Sequence, residues 1–170
     1  MPIEADPPRQ LDPAGFAAWV GPSLTAMTRL ARRLAPHTDP EDVVQDALAR
    51  AWTKRGQFDP ERGTPTTWLL AIVADQARAS RRSRLRRLRV VDEHAELPDE
   101  PAPDASADVD LERAIRQLAE RQQLAVHLHY FVGMTVDETA AVMNCSAGTV
   151  KSTLFDARSR LRALLGDTDD

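Results

Sequence analysis

The sequence predicts an all-α protein: two small helical domains joined by a flexible acidic linker, the second containing a helix-turn-helix. Three observations lead there. Apolar residues recur at the helical period through most of the 170 residues, with no alternating strand pattern and no Asn-Gly hairpin signal. Helix start signals, a capping side chain followed by proline or by a capping box, stand ahead of these apolar stretches. One segment breaks the pattern. Residues 91–108, V-D-E-H-A-E-L-P-D-E-P-A-P-D-A-S-A-D, hold three prolines and seven acids with little to bury, and divide residues 13–90 from residues 109–170.

Taken in order, residues 1–12 read as a disordered N-terminus. Asp12-Pro13 then supplies a cap and a first-turn proline for a helix with Phe16, Trp19, Val20, Met27, Leu30 and Leu34 near one stripe, interrupted around Gly21-Pro22. Asp39-Pro40 repeats the signal and opens a helix that turns Val43, Val44, Ala47, Leu48 and Ala51 inward. A loop from Gly56 to Gly63 follows, and Thr64-Pro65 opens a third helix with Trp68, Leu69, Ile72 and Val73 apolar. Beyond the linker, Leu111, Ile115, Leu118, Leu124, Val126, Leu128 and Phe131 form one helical block that stops at Gly133. Thr135-Val136-Asp137-Glu138 is a capping box, the short helix it starts ends at Asn144-Cys145, and Ser146 caps the next. In that last helix Val150, Leu154, Ala157 and Leu161 share one side, while Gly148, Ser152, Phe155 and Ser159 lie opposite. At an extended reach of roughly 3.3 Å per residue the linker spans on the order of 60 Å, so the two blocks need not touch.

Composition excludes several classes. A single cysteine, Cys145, leaves no disulfide scaffold and no multi-cysteine metal site, which fits a reducing cytoplasm. No stretch approaches the roughly 20 apolar residues of a membrane span, and no secretory leader is visible, so the expected protein is cytoplasmic with no membrane insertion. An enzyme fares badly. His127 and His129 are two apart on a helix and point different ways, His37 and His94 are isolated, and Cys145 has no base near it in sequence, so no catalytic residue, metal site or cofactor is expected.

The formal charge of −4 hides a segregation along the chain. Residues 1–90 carry 15 basic against 10 acidic side chains, residues 91–112 none against 9, and residues 113–170 seven of each. Seven arginines, at 78, 81, 82, 84, 86, 87 and 89, stand together without an acid. Like charges at that density repel one another in the free chain and point to an anionic partner, with phosphates the natural one.

Two long motifs carry a family resemblance. The segment L-A-E-R-Q-Q-L-A-V-H-L-H-Y-F-V-G-M-T-V-D-E-T-A-A-V-M-N-C-S-A-G-T-V-K-S-T-L-F-D-A-R-S-R-L resembles the domain with which extracytoplasmic-function (ECF) sigma factors read the promoter −35 element. D-P-E-D-V-V-Q-D-A-L-A-R-A-W, then F-D-P-E-R-G, then T-W-L-L-A-I-V-A-D-Q-A-R-A-S-R-R resembles the polymerase-binding and −10 reading domain of the same family. Together, in family order, they span nearly everything from Phe16 to Leu164.

The resemblance implies a protein that binds core RNA polymerase through its β and β′ subunits and directs initiation at promoter DNA. Asp42, Gln45 and Asp46, at i, i+3 and i+4 on one helix face, would dock on the β′ coiled coil. Asp75, Arg78, Arg81 and Arg82 would meet the −10 element, where bases are unstacked and the exposed strand is held. Gly148, Thr149, Lys151, Ser152, Phe155 and Arg158 would meet the −35 element in the major groove. An anti-sigma factor is a common partner in the family, though no residue here identifies one. Trp52 and Trp68 fall on apolar stripes and read as core. The acidic linker is open to two readings, a stand-in for RNA in a basic polymerase channel or a solubilising spacer.

The sequence also departs from the family. Asp75 stands where asparagine is usual, and Thr153 and Asp156 where arginines are common, so the last helix has a weaker electrostatic grip on DNA than its relatives. Two rivals stay open on sequence alone: a DNA-binding regulator that never enters polymerase, and an interaction protein using the fold as a decoy. The first leaves the Asp39–Trp52 motif without a purpose.

Overall fold

A computed structural model describes residues 11–91 and 107–166 of the chain, and among these every regular element is helical. The expected N-terminal tail and most of the acidic linker lie outside the described residues. Helix α1 (Pro13–Val20) is capped by Asp12, whose carboxylate accepts the Gly15 N–H at 2.7 Å. A 3-10 turn at Gly21–Ser23 separates it from α2 (Leu24–Leu34), as Gly-Pro inside a helical stripe requires. Helix α3 (Pro40–Lys54) starts on Asp39 with proline in its first turn. The Thr64 hydroxyl accepts from the Thr67 N–H at the head of α4 (Pro65–Val91), the longest helix of the fold.

Met27, Leu30, Ala47, Ala51, Leu69, Leu70 and Val73 are fully enclosed where α2, α3 and α4 meet. Phe16, Trp19, Trp52, Phe58 and Trp68 close one end with ring centroids 5.2–6.0 Å apart. Offset and edge-on rings at that spacing add about 0.5–1.5 kcal/mol per pair beyond their burial. Trp52 and Trp68 are therefore packing residues, as their stripes indicate.

The second half is more broken than its sequence pattern. Helix α5 (Ala107–Arg116) begins two residues before the apolar pattern does, and the single block expected up to Gly133 divides at residues 117–119. There Gln123 turns its amide back to donate to the carbonyls of Arg116 and Leu118, and Gln122 accepts from the Ala119 N–H, so local side-chain bonds replace the helical ladder. Helix α6 (Glu120–Val126) then passes into a π-helical turn, His127–Val132, which Gly133 ends in the left-handed region at φ 87°. Helix α7 (Val136–Met143) opens on the Thr135–Glu138 box, with Thr135 N–H to Glu138 at 2.8 Å and Glu138 N–H to the Thr135 hydroxyl at 3.2 Å. Asn144 at φ 49° closes it, and Ser146 caps α8 (Ala147–Leu165) through the Thr149 N–H at 3.1 Å.

The two halves touch, although the length of the linker does not require it. Leu124, Leu128, Met134 and Val142 of the second half join the core of the first, while Ala125, Val126, Ala140, Val150, Leu154 and Ala157 form a separate core within the second. Helix α6 is thus apolar on two sides, and burying such a side chain is worth about 1.5–3 kcal/mol, which explains why the halves close. Gly63 sits at this junction. A Cβ there would lie 2.6 Å from the Thr67 hydroxyl of its own half, whereas its 3.9 Å from the Ala141 Cβ is ordinary contact, so it is the turn into α4 and not the approach of the halves that needs glycine.

Candidate polymerase and nucleic-acid interfaces

Helix α3 buries Val43, Val44, Ala47 and Ala51, and that orientation leaves Asp42, Gln45 and Asp46 together on the outer face. All three are exposed, and none makes an ion pair or side-chain hydrogen bond with a described residue. Glu41 and Asp42 in the first turn suit the helix dipole, whereas Gln45 and Asp46 lie beyond its reach. Two unpaired carboxylates flanking an amide form a surface suited to basic side chains.

On α4 the apolar face ends at Ala77, and the helix continues outward as a basic rod. Arg78, Arg81 and Arg82 are all exposed. Asp75 accepts from Arg78 at 3.3 Å, so its carboxylate neutralises part of its neighbour's charge. Arg81 reaches across to Glu120 of α6, also at 3.3 Å. Arg82, Arg84, Arg86 and Arg87 have no ion-pair partner among the described residues, so this end of the helix keeps most of its positive field.

Helix α8 turns Val150, Leu154 and Ala157 into the second core and presents Gly148, Lys151, Ser152, Phe155 and Arg158 to solvent. Phe155 is 61% exposed, a large ring left mostly to solvent. No Cβ at Gly148 would meet anything closer than the Ser146 hydroxyl at 3.7 Å, so its absence leaves bare backbone at the helix head. Thr149 differs from the rest of the expected set. Half-buried, it pairs its hydroxyl with that of Ser146 at 2.9 Å, which gives it a capping job. Ser152 donates to the Thr149 carbonyl at 3.0 Å, leaving its lone pairs as its outward-facing chemistry. Asp156 is exposed beside Phe155 without an ion-pair partner among the described residues.

Sequence reasoning missed a fourth feature, a cleft of about 620 Å³ between the halves. Arg33 of α2 dominates it: its guanidinium pairs with Glu112 of α5 and lies 3.8 Å from the centre of the Phe131 ring. His127 is buried against the same place, with its pKa lowered to about 4 by desolvation first and by the Arg33 charge second. His129, by contrast, bonds the Met134 carbonyl at 2.7 Å and helps to hold the Gly133 turn. Among the described residues no three His, Cys, Asp or Glu side chains gather as metal ligands, and no helix is long and apolar enough to cross a membrane.

A capped helix pair with an exposed face of polar, basic and aromatic side chains packs beside a helix that passes from core into arginines. The family model for Sigma-70 region 2 matches residues 16–87, and that for Sigma-70, region 4 matches residues 108–161. The RNA polymerase sigma-E factor of Streptomyces avermitilis is 34% identical over 164 residues, covering 91% of this chain and 87% of that protein. The ECF RNA polymerase sigma factor EcfG of Rhodopseudomonas palustris is 32% identical over 128 residues, 74% of this chain and 70% of its own. The chain belongs to the ECF sigma factors. Solved relatives agree with this sigma factor in fold: RpoE in complex with the anti-sigma factor NepR from Bartonella quintana gives a TM-score of 0.67 at 30% identity, covering 91% of this chain and 98% of that one. CnrH in complex with the cytosolic domain of CnrY gives 0.66 at 30%, covering 94% and 92%. As a sigma factor the protein associates with core RNA polymerase and directs promoter-specific initiation, which rules out the regulator that never enters polymerase.

Proposed function

We propose that residues 13–90 of this sigma factor dock on polymerase and read and open the −10 element, that residues 109–170 read the −35 element, and that residues 91–108 connect them. Asp42, Gln45 and Asp46 take the polymerase. Asp75, Arg78, Arg81 and Arg82 take the −10 DNA, the arginines through its phosphates. Gly148, Lys151, Ser152, Phe155 and Arg158 face the −35 major groove, with Thr149 holding the head of α8. The observation that carries this reading is the separation of chemistries over three helix faces: unpaired acids on α3, arginines on α4, and a capped helix showing a bare backbone, a lysine and an aromatic ring on α8.

The protein acts in the cytoplasm, where core polymerase is, and contributes recognition rather than catalysis of its own. Relatives solved with NepR and CnrY support an anti-sigma factor as a further partner. In vitro transcription with core polymerase on genomic fragments tests the whole reading, and initiation at discrete sites that vanishes without the protein is the expected result. Asp46→Arg is expected to weaken core binding at least about tenfold, the loss of one charge-assisted contact plus a repulsion, with helicity by circular dichroism unchanged. Unaltered core affinity would remove α3 from the docking surface.

A further inference from the structure

Six arginines line the cleft, at 29, 32, 33, 81, 84 and 116, against one acid among the described residues, Glu112. Their pairing is uneven. Glu112 answers Arg33 and Glu120 answers Arg81, whereas Arg29, Arg32 and Arg84 are exposed and have no ion-pair partner among the described residues. Arg32 and Arg33 in the last turn of α2 suit the helix dipole, but Arg29 lies a turn earlier and Arg84 well inside α4, so the dipole does not explain the set. Arg29, Arg32 and Arg33 share one face of α2, Arg81, Arg84 and Leu85 share one of α4, and the two helices pack together. Guanidinium groups gathered in this way repel one another, and burial already draws the Arg33 pKa below its ordinary value. An anion in the cleft relieves that repulsion.

The lining is not only charged. Leu34 contributes apolar surface, and Leu85 joins it while left 44% exposed, a bare apolar side chain inside a run of arginines. Ile115 and Phe131 add more from the second half, which the apolar seam of Leu124, Leu128, Met134 and Val142 holds against the first. The volume of about 620 Å³ falls within the range of about 300–1,000 Å³ typical of small-molecule sites. We propose that the cleft binds a nucleoside triphosphate, with its phosphates on Arg29, Arg32 and Arg84 and its base against Leu85 and the apolar lining beside it. Guanidinium takes phosphate oxygens two at a time, and a base is a flat body able to cover a bare leucine. An inorganic phosphate chain would use the arginines and leave Leu85 uncovered. A fatty carboxylate would cover Leu85 and bring one charge to three cations. None of Arg29, Arg32, Arg84 and Leu85 belongs to the docking or promoter-reading sets, so the site stands or falls apart from those assignments.

Isothermal titration calorimetry of the full chain at low salt tests it, with ATP and tripolyphosphate as separate probes and magnesium left out so that the phosphates keep their full charge. ATP is expected to bind one site with a Kd on the order of 10–100 μM. Arg29→Gln combined with Arg84→Gln should weaken both probes about tenfold or more, with helicity by circular dichroism unchanged. Arg50→Gln, an exposed arginine of α3 outside the cleft, should leave both within about twofold. Leu85→Ser separates the two halves of the ligand: ATP should weaken severalfold while tripolyphosphate stays within about twofold. No binding of ATP at about 1 mM would overturn the proposal, as would an equal loss from Arg50→Gln, which would make the attraction one of general charge. A Leu85→Ser protein that treats both probes alike would remove the base from the site and overturn it too. ATP binding that appears only when the acids of residues 92–106 are replaced with serine would give the cleft to the chain's own linker, and would equally overturn the proposal.

Discussion

His127 makes the fold sensitive to acid in a way that can be worked out in advance. Its imidazole is 3% exposed, its Nδ1 finds no hydrogen-bond partner, and burial with Arg33 beside it lowers its pKa from 6.5 to about 4. The unfolded chain therefore binds a proton below about pH 6.5 that the folded chain refuses until about pH 4. Stability falls as pH falls through that window and the loss is complete below it. At 1.36 kcal/mol per unit the full effect is about 3 kcal/mol, and between pH 7.5 and pH 5 about 2 kcal/mol of it is spent. His127→Phe removes the titration and the unsatisfied nitrogen while keeping an aromatic ring against Phe131, whose centroid lies 5.5 Å away. Urea unfolding of both proteins at the two pH values isolates the term. Arg33, Glu112 and Arg116, which line the same cleft, are common to both proteins and cancel in the difference. The wild type should lose about 2 kcal/mol more than the variant over this interval. Equal losses would mean that the imidazole is hydrated or already paired in solution, and the packing described around it would be wrong.

Replacing Arg78, Arg81 and Arg82 together with glutamine should leave core binding intact, impair open-complex formation and make its dependence on salt shallower; an unchanged salt slope would assign the basic rod elsewhere. Asp156→Arg should tighten binding to all −35 sequences alike if the carboxylate repels a phosphate. If it accepts from a cytosine amino group, the substitution should instead weaken the native element alone by about 1–3 kcal/mol, and single-base variants of the element separate the two. Its exposed position, without an ion-pair partner among the described residues, favours repulsion. Thr135→Ala should cost about 1 kcal/mol in unfolding free energy by removing the hydroxyl that accepts the Glu138 N–H, and a loss near zero would deny the box its role.

The sequence revealed most of what is local. Asp12, Asp39, Thr64, Thr135 and Ser146 each accept the backbone N–H expected of a cap, because capping is settled within three residues. The faces of α3 and α8 were legible for the same reason, since a 3.6-residue period states which side chains share a side. The pairing of Arg33 with Glu112 was not, because 79 residues separate them and no periodicity encodes it. A signal for the seam did exist. Leu124, Ala125 and Val126 are buried in succession, and apolar residues on more than one face of a short helix announce two neighbours rather than one. The π turn hid the rest, since its extra residue rotates the stripe from Leu128 onward and makes one continuous helix look plausible through a real change of direction.

If α8 reads the −35 element, its electrostatics make this sigma factor dependent on polymerase for reading DNA. Helix α8 carries Lys151, Arg158, Arg160 and Arg162 against Asp156, and phosphate neutralisation supplies much of any protein–DNA affinity. A helix with so few cations has little hold on a duplex encountered from bulk solution. On the proposed assignment, docking through α3 anchors one half, so that the second contact becomes intramolecular at a local concentration on the order of millimolar. Weak readers joined in this way discriminate better than strong ones, since a strongly basic α8 would spend its time on nonspecific DNA without polymerase. On this reasoning Asp156→Arg should raise the free chain's affinity for a −35 duplex by a larger factor than it raises initiation by the holoenzyme, where the docked half already supplies most of the hold; an equal gain in both would deny α3 that part.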